Sequence, residues 1–232
     1  MMITQVDTQA QIYLQNQRGK FQTKEFRSFY TLNFGDYNAE NREPFGNILT
    51  WNDETLLPQC RHSIIVEEPT RIILLPLVGA IEIDEGKKVK YVDSGESLSL
   101  LVTPDNGFEI TNPYPDKVIN YLQIRVLAND QFAEEKTLIA FDLNRNNQLL
   151  PILNDIPDQT KLLIGKYDGR EEGVYYSKNP SGNVFVFIIE GAFEVQNRLL
   201  ERRDGLSLKG AVEVEFEALS NEAILLIMES AG

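Results

Sequence analysis

The chain has 232 residues, 42% hydrophobic and 25% charged, enough to bury one large core or two smaller ones and too apolar for extended disorder. Its 35 acidic and 22 basic residues leave a net charge of -13, spread along the chain, which repels phosphate backbones and sets an expectation of no direct nucleic-acid contact. The polar start MMITQVDTQAQIYLQNQRGK has no apolar signal core, no run nears the ~20 residues of a membrane helix, and one cysteine allows no internal disulfide, so the expected setting is cytoplasmic with no membrane contact.

Residues 60–84, CRHSIIVEEPTRIILLPLVGAIEID, hold the single cysteine, Cys60, and the single histidine, His62. With no Lys or His cluster to activate its thiol, Cys60 reads as a partly buried small hydrophobe, and His62 as an ordinary strand or loop histidine. Glu67 and Glu68 beside Arg71 read as a surface ion pair. RIILLPLVG and SLSLLV are strand-like, and Pro104-Asp105-Asn106-Gly107 and Asn112-Pro113 are turn signals. In YLQIRV the alternation sets Tyr121, Gln123 and Arg125 on one face and Leu122, Ile124 and Val126 on the other; one strand leaves open which face is inward. NDQFAEEK is the best helix candidate. LPILNDIPDQTK, with Pro151 and Pro157, reads as a linker or loop, placing a boundary near residue 145 and the start of a second unit around Leu162. Turns at 167–169 and 179–182, the strands NVFVFIIEG, VEVEFEAL and AILLIME, and RLLERRDG as a solvated turn complete the chain.

The landmarks repeat. LLPLVGAIEI, DSGESLSL and INYLQIRV in the first half match VFIIEGAFEV, RRDGLSL and AILLIME in the second, in the same order and at similar spacing. Two copies of one β unit are expected: residues 1–145 and 146–232, each an antiparallel barrel, with Gly79 and Gly191 at equivalent tight corners.

Residues 27–58, RSFYTLNFGDYNAENREPFGNILTWNDETLLP, with their aromatic FGDY segment, resemble the amino-terminal signature of pirin and the pirin-like bicupins of the cupin superfamily. The likeness continues through the Gly79 corner, the Gly95 turn and the YLQIRV strand. It implies an all-β bicupin: two antiparallel barrels of the double-stranded β-helix or jelly-roll type, packed together. Relatives of that kind hold iron or another divalent metal with a His-x-His pair, a later His and a Glu, and some act as quercetin dioxygenases. Aligning Gly79 and Gly107 with the family's glycines puts Ile65, Glu67, Ile110 and Asn112 at those four positions. Isoleucine cannot ligate a metal, so the expectation is that the site has been lost and that no cofactor is held.

No Walker-type phosphate loop and no nucleophile elbow is present. The expected function is a metal-free binding or protein-interaction role. A small molecule would lie in the first barrel, with Ile65, Glu67, Ile110, Asn112, Tyr121 and Gln123 as candidate pocket residues and no catalytic residue assigned; a protein partner is the other form of that role. The alternatives are a divergent quercetinase-like dioxygenase, or a metal-free isomerase or lyase with Glu67 as base.

Overall fold

A computed structural model describes residues 9–84, 86, 89–128, 136–154, 160–178 and 182–230. Nearly all of the regular structure is antiparallel strand, because short Val-, Ile-, Leu- and aromatic-rich runs lie between turn residues that break them. By compactness the chain divides into residues 18–141 and residues 1–17 with 142–232.

In the first unit, a seven-stranded sheet runs in the spatial order Lys136–Ala140, Glu96–Val102, Thr70–Val78, Ile119–Leu127, Ile48–Leu56, Phe26–Tyr30 and Gly19–Gln22. A four-stranded sheet, Arg61–Ile64, Phe108–Thr111, Ile81–Asp84 and Val89–Val92, belongs to the same unit. Inward residues of the two sheets, among them Leu56, Ile64, Ile72, Leu74, Ile81, Leu98, Ile110 and Tyr121, form one core. Alternation along Ile119–Leu127 therefore turns Tyr121, Gln123 and Arg125 to the inside, the choice the sequence left open.

The second unit repeats this plan. Its six-stranded sheet is ordered Gln9–Tyr13, Gly205–Lys209, Asn183–Glu190, Ala223–Ser230, Lys161–Tyr167 and Gln148–Asn154. Its four-stranded sheet is Glu172–Tyr176, Glu213–Ala218, Phe193–Val195 and Arg198–Leu200. The two corner glycines have the same left-handed φ of 75°. A bulge precedes each by two residues, at Leu77 and at Ile189. The expected equivalence of Gly79 and Gly191 is met in backbone detail.

Several local expectations differ. The span expected as a linker holds the strand Gln148–Asn154, which pairs with Lys161–Tyr167 at the sheet edge; Pro151 is accommodated because the register shifts between it and Leu153. The division of the chain also differs at the amino terminus, where Gln9–Tyr13 pairs with Gly205–Lys209 of the second unit instead of joining the first. Arg71 is buried, its guanidinium donating to Ser99 Oγ at 2.9 Å, and is not the surface arginine expected. In RLLERRDG the solvated reading fits Arg202, which pairs with Glu190 at 2.8 Å, but Arg203 and Asp204 are buried. The NDQFAEEK helix falls almost wholly outside the described residues.

Candidate functional site

The inside of the first barrel carries polar groups among its aliphatic ones. Strand Ile48–Leu56 reads Trp51-Asn52-Asp53-Glu54 at its middle, and its pleat sends Glu54 inward with Leu56. Antiparallel pairing sets Glu54 beside Ser28 on one side and Tyr121 on the other. Glu54 is 2% exposed. Its Oε1 accepts from Gln123 Nε2 at 2.9 Å and from Ser28 Oγ at 3.3 Å. The Tyr121 hydroxyl stands beside the same carboxyl, but neither it nor Glu54 Oε2 completes a hydrogen bond of good geometry. Burial pushes the carboxyl up to about 7, against the opposing pull of Tyr121, the Arg125 charge, Gln123 and Ser28. At neutral pH Glu54 is thus poised between acid and carboxylate.

Glu54 lies at the inner end of a cavity of about 580 Å³, within the range of small-molecule pockets. Its walls are mostly aromatic, Phe21, Phe26, Tyr30, Phe34 and Tyr37, with Lys20, Asp36, His62, Ile65, Gln123 and Arg125 among them. The FGDY segment supplies one side, where Phe34 and Tyr37 pair across a turn that Gly35 enters at φ 55°. His62, on Arg61–Ile64, stacks on Phe26 with centroids 4.0 Å apart and planes 10° from parallel. Burial, aided by the Arg125 charge, lowers its pKa and favours the neutral ring. Arg125 lies over Phe34, 4.8 Å from the ring centroid, and donates to Gln123 Oε1 at 3.2 Å and to the Ile65 carbonyl at 3.4 Å.

The six residues singled out in the sequence separate here. Ile65, 69% exposed, and Gln123 line the cavity, and Tyr121 is buried behind it against Glu54. Glu67 is exposed and does not line it. Ile110 is fully buried in the apolar core, paired with His62 and Ile83. Asn112 clamps a loop: its Nδ2 donates to the carbonyls of Leu56 and Lys117 at 3.0 and 2.7 Å, and its Oδ1 accepts from the Tyr114 amide at 3.0 Å. Of the four positions aligned with metal ligands, Ile65 alone reaches the cavity. Cys60 packs against the core as expected, and burial raises its thiol pKa with help from Glu25. Glu54 and Arg125 are not among the residues the sequence singles out; for Glu54 the available signal is a polar run, Asn52-Asp53-Glu54-Thr55, set between Trp51 and Leu56 in one strand.

A divalent metal needs about three converging protein donors. Among the described residues no group of three or more His, Cys, Asp and Glu side chains converges in that way. Around the cavity the donors are one stacked imidazole, His62, one carboxyl, Glu54, already hydrogen-bonded by neutral donors, and Asp36, and the three do not converge on one point. This donor set does not fit a transition metal. Nor, among the described residues, is any helix long and apolar enough to cross a membrane.

In the second barrel, the position equivalent to Glu54, counted from the two corner glycines through the paired strands, is Gly165. A side chain there would run into the Tyr167 ring. Tyr167, Phe193 and Phe216 fill that interior edge to face, with centroids 5.1 to 6.2 Å apart. One copy of the unit is open and polar at this place, and the other is packed.

Residues 155–229 match the family described as the quercetinase C-terminal cupin domain. No curated protein matches the sequence. Among solved structures, the bacterial pirin YhhW from Escherichia coli, in complex with nickel(II), is similar over 97% of this chain and 100% of its own, with a TM-score of 0.84 and 16% identity. YhaK from Escherichia coli is similar over 92% and 93%, with a TM-score of 0.71 and 18% identity. A quercetin 2,3-dioxygenase from Acinetobacter baumannii is similar over 95% and 85%, with a TM-score of 0.72 and 13% identity.

Proposed function

From the premise that this chain is a pirin-like cupin with a quercetinase-type carboxy-terminal domain, we propose that its first barrel binds a small planar molecule without a metal. The observation that carries this reading is the aromatic-walled cavity with a buried, protonatable carboxyl at its inner end. Aromatic walls favour a flat ligand, because offset stacking adds to the gain from burying apolar area. Glu54 and Gln123 would orient it by hydrogen bonds, since each polar group at the base of an apolar pocket rejects ligands that leave it unpaired.

The test is calorimetric titration of chelator-dialysed protein with 2-naphthol. Saturable one-site binding that added nickel or iron leaves unchanged supports the reading. Binding that appears only with added metal contradicts it, as does failure of 2-naphthol, 2-naphthoate and 2-naphthamide all to bind.

A second reading draws on the same carboxyl. A group titrating near neutrality matches the requirement for a general acid or base, so a metal-free isomerase or lyase remains in view, with Glu54 in the role first given to Glu67. Loss of turnover in Glu54→Gln, with ligand binding retained, would mark that reading in an activity screen.

A further inference from the structure

The small-molecule reading leaves the ligand's charge open, and the polar groups of the cavity constrain it. Arg125 reaches the cavity from Ile119–Leu127 part-buried, and burial lowers its pKa. Its hydrogen bonds go to neutral acceptors, the Gln123 side-chain oxygen and the Ile65 carbonyl. Among the described residues it forms no ion pair; the Glu54 carboxyl acts on it only at longer range. The Phe34 ring and the distant Glu54 charge offset its desolvation only in part, and a ligand carrying the opposite charge would complete the compensation. A cationic ligand would instead meet Arg125 at close range.

We propose that the cavity takes a planar organic anion: its ring system stacks among Phe26, Phe34 and Tyr30, its carboxylate pairs with Arg125, and the buried Glu54 carboxyl stands beside that pair. This deepens the small-molecule reading and rests on it. Arginine suits the task because its planar fork can hold a carboxylate through two parallel bonds.

Proton linkage follows from the groups around Glu54. Ser28 and Tyr30 face it from Phe26–Tyr30, and Tyr121, Gln123 and Arg125 from Ile119–Leu127, with His62, Lys20 and Asp36 elsewhere on the cavity wall. Burial keeps Tyr30 and Tyr121 protonated, and His62 favours its neutral form. Glu54 is therefore the group that changes charge near neutrality. An anion placed against it favours the protonated form, so binding takes up a proton and weakens as pH rises through about 7.

The experiment titrates the intact protein with 2-naphthoate and with its uncharged amide, 2-naphthamide, by calorimetry in two buffers of different ionisation enthalpy. The acid is expected to bind at least about tenfold more tightly than the amide at about pH 6, and to weaken about tenfold by about pH 8, with proton uptake, since only the neutral-Glu54 fraction is competent. Arg125→Gln is expected to erase the preference for the acid, and Arg125→Lys to keep part of it. Glu54→Gln, which keeps a donor but cannot ionise, is expected to flatten the pH profile. The comparison of acid with amide in the unaltered protein needs no variant to fold. Equal affinity for acid and amide, or tighter binding of the amide, overturns the anion inference while the pocket reading stands. If 2-naphthol, the acid and the amide all fail to bind, the pocket reading falls and the inference with it.

Discussion

A carboxyl group withdrawn from water resists ionisation, and Glu54 has only neutral donors in direct contact to offset that penalty. The sign of its effect on stability follows. In the unfolded chain it ionises near 4.5; in the fold, near 7. Folding stability is full below the lower value and declines as pH rises between the two, by about 3 kcal/mol if the whole shift is expressed. Glu54→Gln removes that decline, so the variant should match or fall below the parent in melting temperature at about pH 5 and exceed it at about pH 8. Thermal melts across that range measure it; parallel curves for the two proteins would show that the carboxyl is not withdrawn from water. Asn112 makes the opposite point. Placed by alignment where a metal ligand stands in relatives, it spends both ends of its amide holding a loop. Asn112→Ala should cost about 1–3 kcal/mol in urea unfolding, because it takes this partner from the buried Leu56 carbonyl and from the part-buried Lys117 carbonyl and Tyr114 amide.

At the scale of elements, the corner glycines tie the repeat to its geometry. Both adopt φ 75°, and a side chain on Gly191 would meet Ser220 Oγ and Ala223, while one on Gly79 would meet Ile119 and Tyr114. Gly191→Ala and Gly79→Ala should therefore each lower stability by about 1–3 kcal/mol, combining left-handed strain with steric crowding. Denaturant midpoints check this; an unchanged midpoint for either would deny the shared corner. These corners were legible because glycine before a hydrophobic-acidic strand is a local signal, and so was the face shared by Tyr121, Gln123 and Arg125. What was not legible is non-local. Glu54 takes its character from Ser28, Tyr121 and Gln123, which reach it through strand pairing that no short window encodes. Pro151 misled for a related reason: a proline that argues against a central strand is tolerated at a sheet edge beside a register shift.

At the scale of the whole molecule, strand Gln9–Tyr13 occupies in the second unit the place that Lys136–Ala140 occupies in the first, each beside the strand that follows the corner hairpin. Nothing near residue 9 reveals that its partner lies about two hundred residues away, so sequence order alone places it with the first barrel. Removing residues 1–13 should weaken the second unit selectively, since the edge of Gly205–Lys209 loses its ladder and Tyr13 leaves the Phe185 ring, 5.4 Å distant by centroids. Hydrogen exchange is the readout. Protection is expected to fall first in Gly205–Lys209 and Asn183–Glu190, and a loss of protection confined to residues 18–141 would contradict the pairing.

The two units differ in their interiors: the copy with Gly165 is filled by aromatic rings, and the copy with Glu54 keeps a cavity around a protonatable group. The measurement that tests this most directly is a carbon-13 NMR titration of the Glu54 side-chain carboxyl, assigned by its loss in Glu54→Gln, in free protein and with 2-naphthoate. A midpoint of about 7 that moves upward when the probe is bound is the predicted result. A midpoint in the ordinary carboxylate range, unmoved by the probe, would contradict the account.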